Sequence, residues 1–325
     1  MRATAAALLF ACSIFAAGNA QAAASATEYP TKAVRWIVTV SPGGGVDFMA
    51  RMYGQKVSEL LKQPVVVDNR PGATGTIAMQ LVARATPDGY TAVVISVADL
   101  IIAALSEGRG VDPTKDFAPV SMLGTTPLAL AIHPSLNAAT LADFIALARK
   151  QPGKIHYASG GTGGIQHLAT ELFKREAKIN LAHVPYKGTG PGVIDLLAGH
   201  VQVMLTSPAA VLPHIRAGRL RGLAIMGKAR SPAAPDIPTF TESGLPGVEL
   251  GVWYGVLAPA RTPPTIVDKL AQAIATAGGM PDVREKITSS GAEPVQSTPA
   301  DFAVFLRNER EKLLKIGRDV DIRID

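Results

Sequence analysis

The chain has 325 residues, 47% of them apolar and 18% charged, with 31 Gly and 24 Pro. That composition excludes a disordered chain, and at roughly 150 residues per domain it predicts about two domains. A net charge of +6 is mild, and a single Cys excludes a disulfide framework and a Cys-based zinc site.

The chain opens on Met1-Arg2, and residues 5–17 are apolar except for Ser13. Small residues follow, with Ala-x-Ala sites at Ala20-Gln21-Ala22 and Ala24-Ser25-Ala26. This layout predicts a signal peptide over residues 1–26, with an apolar run too short to span a bilayer. Leu9-Phe10-Ala11-Cys12 faintly matches a lipoprotein attachment site, but Phe10 fits that pattern badly. No later segment is long and charge-free enough to span, since Asp99 interrupts the apolar run over 92–105. An exported, soluble, periplasmic protein is expected.

Beyond residue 26, strand and helix patterns alternate. An apolar strand over 34–40 ends in Ser41-Pro42-Gly43-Gly44-Gly45, and a helix follows over 47–61. A short strand at 65–67 leads into the turn Asn69-Arg70-Pro71-Gly72, then a helix over 77–84. Asp88-Gly89 opens a strand over 90–96. Leu141, Phe144, Ile145 and Ala148 repeat at helical spacing behind Thr140 as N-cap. Strands at 155–158, 181–185, 201–205 and 220–226 alternate with helices at 168–177, 193–198 and 209–216. A strand at 252–258 precedes helices at 264–277, 282–289 and 299–320. Such repetition predicts mostly parallel sheets with helices on both faces, and ligands at the carboxyl ends of the strands.

Gly-rich loops recur at those ends, at 42–45, 71–75, 160–164 and 188–192. They form two groups, which predicts two α/β lobes facing each other across a cleft. Neither Gly43–Phe48 nor Gly161–Gln166 completes a dinucleotide fingerprint, and Lys154 and Lys228 lack the Ser or Thr of a P-loop. A Gly-rich loop opening a helix still presents N–H groups at the positive end of the helix dipole, a ready anion site.

Catalytic constellations are thin. Gly-x-Ser-x-Gly is absent, and neither Ser159 nor Ser207 has a base at a motif spacing, so an exported α/β hydrolase is a weak alternative. His167 and Glu171 share a helix face; the simpler role for His167 is packing or hydrogen bonding near the helix start, and no metal is expected. The densest basic stretch, Arg216 to Arg221, has no aromatic interleaving, so no nucleic-acid partner is expected.

A set of motifs in fixed order then carries a resemblance. It runs through Tyr29-Pro30 with Lys32 and Arg35, Ser41-Pro42-Gly43-Gly44-Gly45-Val46-Asp47, Asn69-Arg70-Pro71-Gly72-Ala73 with Gly75, and Pro87-Asp88-Gly89-Tyr90-Thr91. It continues through Asp116-Phe117-Ala118-Pro119-Val120, Tyr157-Ala158-Ser159, His167-Leu168 and His183-Val184-Pro185-Tyr186-Lys187-Gly188. Leu212-Pro213-His214-Ile215, Trp253-Tyr254-Gly255 and Gly291-Ala292-Glu293-Pro294-Val295 complete it. The chain closely resembles the Bug-type, TctC-like, extracytoplasmic solute-binding proteins of tripartite tricarboxylate transporters.

The resemblance implies an α/β fold of the type II-like periplasmic binding protein kind, two doubly wound domains with the ligand cleft between them. It implies lobe 1 over 27–126 plus 253–325 and lobe 2 over 127–252, with crossings near 124–128 and 251–255. It implies a small carboxylate held by backbone amides, small hydroxyls and bridging waters, with no cofactor and no catalytic residue. Membrane transporter subunits are the implied partners, a sensor kinase the alternative one, and a monomer is expected. Carried over by position, lobe 1 contributes Gly44, Gly45, Val46, Asp47, Ala73, Thr74, Ser96, Val97 and Ala98. Lobe 2 contributes Ser159, Gly163, Gly164, His167, Tyr186, Lys187, Gly188 and Thr206.

Some of these have a second role. Asp47 would repel a carboxylate and is better placed capping the first helix; Lys187 is either a ligand partner or a rim charge. Asp99 departs from the family's small polar residues, and either meets a donor on the ligand or caps the next helix. Gln202 and Thr206 stand where relatives often carry Asp. Val97 and Ala98 predict an apolar pocket wall.

Overall fold

The structure is a computed structural model and describes residues 29–106, 110–227 and 229–319. The expected signal peptide, with Cys12, lies outside the described residues.

The first sheet is built from β1 (Val34–Val38), β2 (Val65–Asn69), β3 (Thr91–Ser96), β4 (Phe117–Thr126) and β10 (Val252–Pro259), in the order β2-β1-β3-β10-β4. The second is built from β5 (Leu128–Ile132), β6 (His156–Ser159), β7 (Ala182–Pro185), β8 (Val203–Thr206) and β9 (Arg221–Met226), in the order β7-β6-β8-β5-β9. In each sheet three neighbouring strands pair in parallel. The fourth, β10 or β5, runs antiparallel to both of its neighbours. Those two strands are the ones the chain enters on passing from one sheet to the other. Only Pro127 separates β4 from β5, and a segment without helix or strand, apart from one short bridge, leads from β9 back to β10.

Helices close both faces of each sheet, and period explains which residues they bury. In α1 (Gly45–Leu61), Val46, Met49, Ala50, Tyr53 and Val57 repeat at helical spacing and pack with Trp36 and with α8 (Pro264–Gly279). The other face carries α2 (Thr76–Ala83), α3 (Val97–Leu105) and α10 (Pro299–Asp319). The second sheet lies between α4 (Leu141–Lys150) with α5 (Ile165–Ala177) on one side, and α6 (Thr189–Ala198) with α7 (Pro208–Arg216) on the other. A further helix, α9 (Pro281–Ser289), follows α8. Strand β5 shows the division by twos: Leu128, Leu130 and Ile132 enter one cluster, Ala129 and Ala131 the other. The cluster under α10 continues through Trp253 into the second lobe, so both lobes share apolar contact on that side.

Three elements escaped the sequence reading. Strand β3 ends at Ser96 as expected, and α3, for which no range was expected, begins at Val97 behind a capping box in which Asp99 takes the capping role that was one of its two alternatives. Strand β4 holds Pro119 and Gly124, and Pro127 stands between it and β5, residues that argue against strand. Pro119 is tolerated because the pairing with β10 shifts register between Val256 and Leu257, where Leu257 faces Pro119.

Gly255 of β10 lies against the buried ring of Phe302, and a Cβ there would collide with that ring. The Gly255→Ala variant should lose about 1–3 kcal/mol of stability through overpacking. Urea unfolding checks this; an unchanged midpoint would show that the ring yields freely.

Candidate functional site

Four helices start at glycines: α1 at Gly44, α2 at Gly75, α5 at Gly164 and α6 at Gly188. None has a side chain capping its first turn. The first N–H groups of a helix have no intrahelical partner, so these ends present donors and a positive dipole end, although at α2 the Thr76 N–H is taken by the Ala73 carbonyl of the preceding turn. The contrast is with α3 and α4, whose starts are closed by capping boxes at Ser96–Asp99 and Thr140–Asp143.

A cavity of about 490 Å³ lies between the loops of the two sheets. From the first lobe it is lined by residues 39–41, by Pro71, Gly72, Thr74 and Gly75, and by the face of α3 that carries Ala98, Asp99, Ile101 and Ile102. From the second lobe it is lined by the whole loop 160–164. Among the described residues no Lys, Arg or His lines it, and Asp99 is its one ionisable group.

The loop 160–164 is held from behind. Gly161 and Gly163 take φ of +145° and +77°, conformations that L side chains rarely adopt. Gln166 accepts from the Gly160 N–H at 2.5 Å and donates to Thr206 Oγ1 at 2.7 Å and Thr189 Oγ1 at 3.2 Å. Gly163 N–H donates to His167 Nδ1 at 3.0 Å. Gly161 N–H donates to Ser159 Oγ at 3.2 Å, and that oxygen lies 2.7 Å from His183 Nε2. The His167 and His183 rings stack with centroids 4.0 Å apart, and Tyr157 stacks on His183 at 4.8 Å. Glu171 accepts from Tyr157 at 2.6 Å and Lys174 at 2.7 Å. Burial, and then the His167 ring, push the His183 imidazole down to about 4. Burial also lowers His167, against the pull of Glu171.

The two acids of the first lobe differ. Asp47 is buried in the first turn of α1; its carboxylate accepts from the Gly43 N–H at 2.9 Å, Arg51 Nε at 3.0 Å and Asn69 Nδ2 at 2.9 Å. Burial works against the charge, but those donors outweigh it and hold the carboxyl below its ordinary range. Among the described residues Asp99 pairs with no cation. Its Oδ2 accepts from the Ser96 N–H at 2.8 Å, the Thr39 hydroxyl at 3.2 Å and the Ser96 hydroxyl at 3.4 Å. Burial dominates there and pushes the carboxyl up to about 6.

Of the expected site residues, Thr74, Ala98, Gly163 and Gly164 line the cavity. Ala73 adjoins it within its loop. Gly44, Gly45, Val46 and Asp47 follow the lining residue Ser41 on the same loop, with Gly45 against the Tyr254 hydroxyl of β10. Ser96 caps α3, and Val97 is buried in the core. Ser159, His167 and Thr206 support the loop from beneath. Tyr186 donates to Asp195 at 2.6 Å, while Lys187 and Gly188 are exposed. The sequence reading missed Gln166, Thr39, Ile101 and Ile102. Ile101 and Ile102 were visible as an apolar run; nothing in the spacing marked Gln166.

Comparison with known proteins gives a consistent result. The family model described as tripartite tricarboxylate transporter family receptor matches residues 49–321. Protein BugT of Bordetella pertussis is 37% identical over 306 residues, which cover 92% of this chain and 93% of that protein. A solved structure of an R. palustris protein with adipate is 33% identical with a TM-score of 0.76, covering 91% of this chain and 99% of the other. MatC from Rhodopseudomonas palustris with bound malate is 32% identical with a TM-score of 0.73, covering 89% and 99%.

The titrations of His183 and Asp99 act in opposite directions. Folded His183 refuses a proton that the unfolded chain takes at 6.5, so stability is lost as pH falls from 6.5 through about 4. Folded Asp99 keeps a proton that the unfolded chain releases at 3.8, so stability is lost as pH rises from 3.8 through about 6. Urea midpoints between those limits should therefore rise less steeply with pH in His183→Gln than in the parent, and more steeply in Asp99→Asn. Parallel curves for all three proteins would contradict the assignment.

Proposed function

This chain belongs to the tripartite tricarboxylate transporter receptor family, and we propose that it captures a small carboxylate between its two lobes in the periplasm and delivers it to membrane transporter subunits. The observation that carries this reading is the cavity between the loops of the two sheets, free of basic side chains and flanked by uncapped, glycine-started helices. A carboxylate needs several donors, and helix starts supply them without burying a cation. The absence of a buried countercharge also favours release, which delivery requires. The bound adipate and malate of the related structures are small carboxylates and support the same class.

The lobes divide, on this reading, into residues 27–126 with 253–325 and residues 127–252. Closure is a hinge motion about the two crossings, at Pro127 and just before β10, with open and closed forms in equilibrium. Gly44–Asp47 then approach the ligand on closure, although they lie beyond the cavity lining. The receptor works as a monomer. It performs no catalysis: Ser159 and His183 are within hydrogen-bond reach, but Ser159 is fully buried and its hydroxyl is committed to the loop.

A thermal-shift screen of the mature chain against adipate, malate, aromatic acids and amino acids tests the reading. A ligand at 100 times its Kd should add about 2.7 kcal/mol of stability, visible as a raised melting temperature. Ala98 is exposed on the cavity wall, so Ala98→Asp should weaken any carboxylate that binds by about tenfold or more through like-charge repulsion. A carboxylate whose affinity is untouched by that change binds elsewhere.

A further inference from the structure

A receptor for anions is expected to keep negative side chains out of its cleft, and Asp99 breaks that expectation. Asp99 is 7% exposed and forms part of the cavity wall beside Ala98, Ile101 and Ile102. Only Oδ2 accepts hydrogen bonds from other residues, all neutral: Thr39 and Ser96. Oδ1 lies against Gly75, where a Cβ would collide with it. Asp99 forms no ion pair among the described residues.

The elements packed against α3 do not supply the missing charge. On β10, the Tyr254 hydroxyl is bonded to Thr126. On α5, His167 serves Gly163, and Glu171 is engaged by Tyr157 and Lys174. On α10, Lys312 pairs with Glu309, and Arg310 with Asp112. Among the described residues no ionisable side chain bonds to Asp99, so burial and whatever enters the cavity act on its charge state.

Resting on the reading that this cleft takes carboxylates, we propose that Asp99 is protonated in the liganded cleft, so that the anion is captured together with a proton from solvent. Two carboxylates without a cation between them cannot both stay ionised in a low-dielectric site. The incoming anion therefore raises the proton affinity of Asp99. The neutral carboxyl no longer repels the ligand and has an O–H to donate. The balance is simple: ionised receptor, anionic ligand and one proton give a neutral Asp99 beside a bound anion.

Isothermal titration of the mature chain with adipate and with malate, in buffers of different ionisation enthalpy at pH 7.5, reads this directly. The expected uptake is between about half and one proton per ligand, with affinity falling by about three- to tenfold per pH unit near that pH. In Asp99→Asn, uptake should vanish and affinity should become flat from pH 6 to 8. Asn retains a carbonyl for the Ser96 N–H, so the start of α3 stays capped. Should that variant fail to fold, Thr39→Val is the second reading. It removes a donor that favours the ionised form and should move the onset of the affinity loss to higher pH. Binding without proton uptake overturns the inference and leaves the carboxylate reading standing. Loss of affinity in Asp99→Asn at every pH, with no uptake in the parent, also overturns it, because Asp99 would then serve the cleft in its ionised form. Failure of any carboxylate to bind from pH 5.5 to 8 overturns both.

Discussion

The first turn of a helix carries N–H groups that the helix itself cannot satisfy. Four helices in this protein meet that constraint by leaving it open: they begin at glycine, at the carboxyl end of a strand or just beyond it. The arrangement is stable because water or a ligand can reach those donors. It also determines the sequence around them, since the backbone must approach closely and turn sharply where Gly75, Gly161, Gly163 and Gly188 take positive φ. Glycine there serves geometry, and the anion site follows from the geometry.

An anion site made of backbone is useful only if the backbone is held still. In the second lobe that task falls to side chains beneath the loop. Gln166 ties Gly160 to α6 and to the end of β8 through Thr189 and Thr206. The stacked pair of His167 and His183 holds Gly163 and, through Ser159, Gly161. These histidines can act as acceptors because burial keeps them neutral; a protonated His167 has no lone pair for the Gly163 N–H. A residue can thus matter to the site without touching what enters it.

This explains what was legible in the sequence. The strand–loop–helix rhythm and the glycine loops are local signals, and the loops at 71–75 and 160–164 that they marked line the cavity. Supporting contacts are not local: Gln166 reaches forward 40 residues to Thr206, and Ser159 reaches 24 to His183. No spacing rule marks such pairs, so Ser159 seemed to lack a base and Gln166 drew no notice. The missed elements have a different cause. Strand β4 contains Pro119 and Gly124, Pro127 separates it from β5 where the chain changes sheet, and a register shift against β10 accommodates Pro119. The strand end at Ser96 and the capping role of Asp99 were legible as Ser-x-x-Asp; the extent of α3 was not, because its residues are apolar on all sides.

Helix α3 is the exception to the open helix starts, and the exception has a consequence. Capping by Ser96 and Asp99 removes donors from the cleft edge of the first lobe and replaces them with an acid. The next turn places Ile101 and Ile102 along the same wall. The cleft is therefore asymmetric: the glycine loop 160–164, ahead of the uncapped start of α5, lies on one side, and an apolar surface ending in a buried carboxyl faces it. A ligand with one carboxylate and an apolar body matches both sides. A second carboxylate would have to meet Asp99, which admits it only by holding a proton.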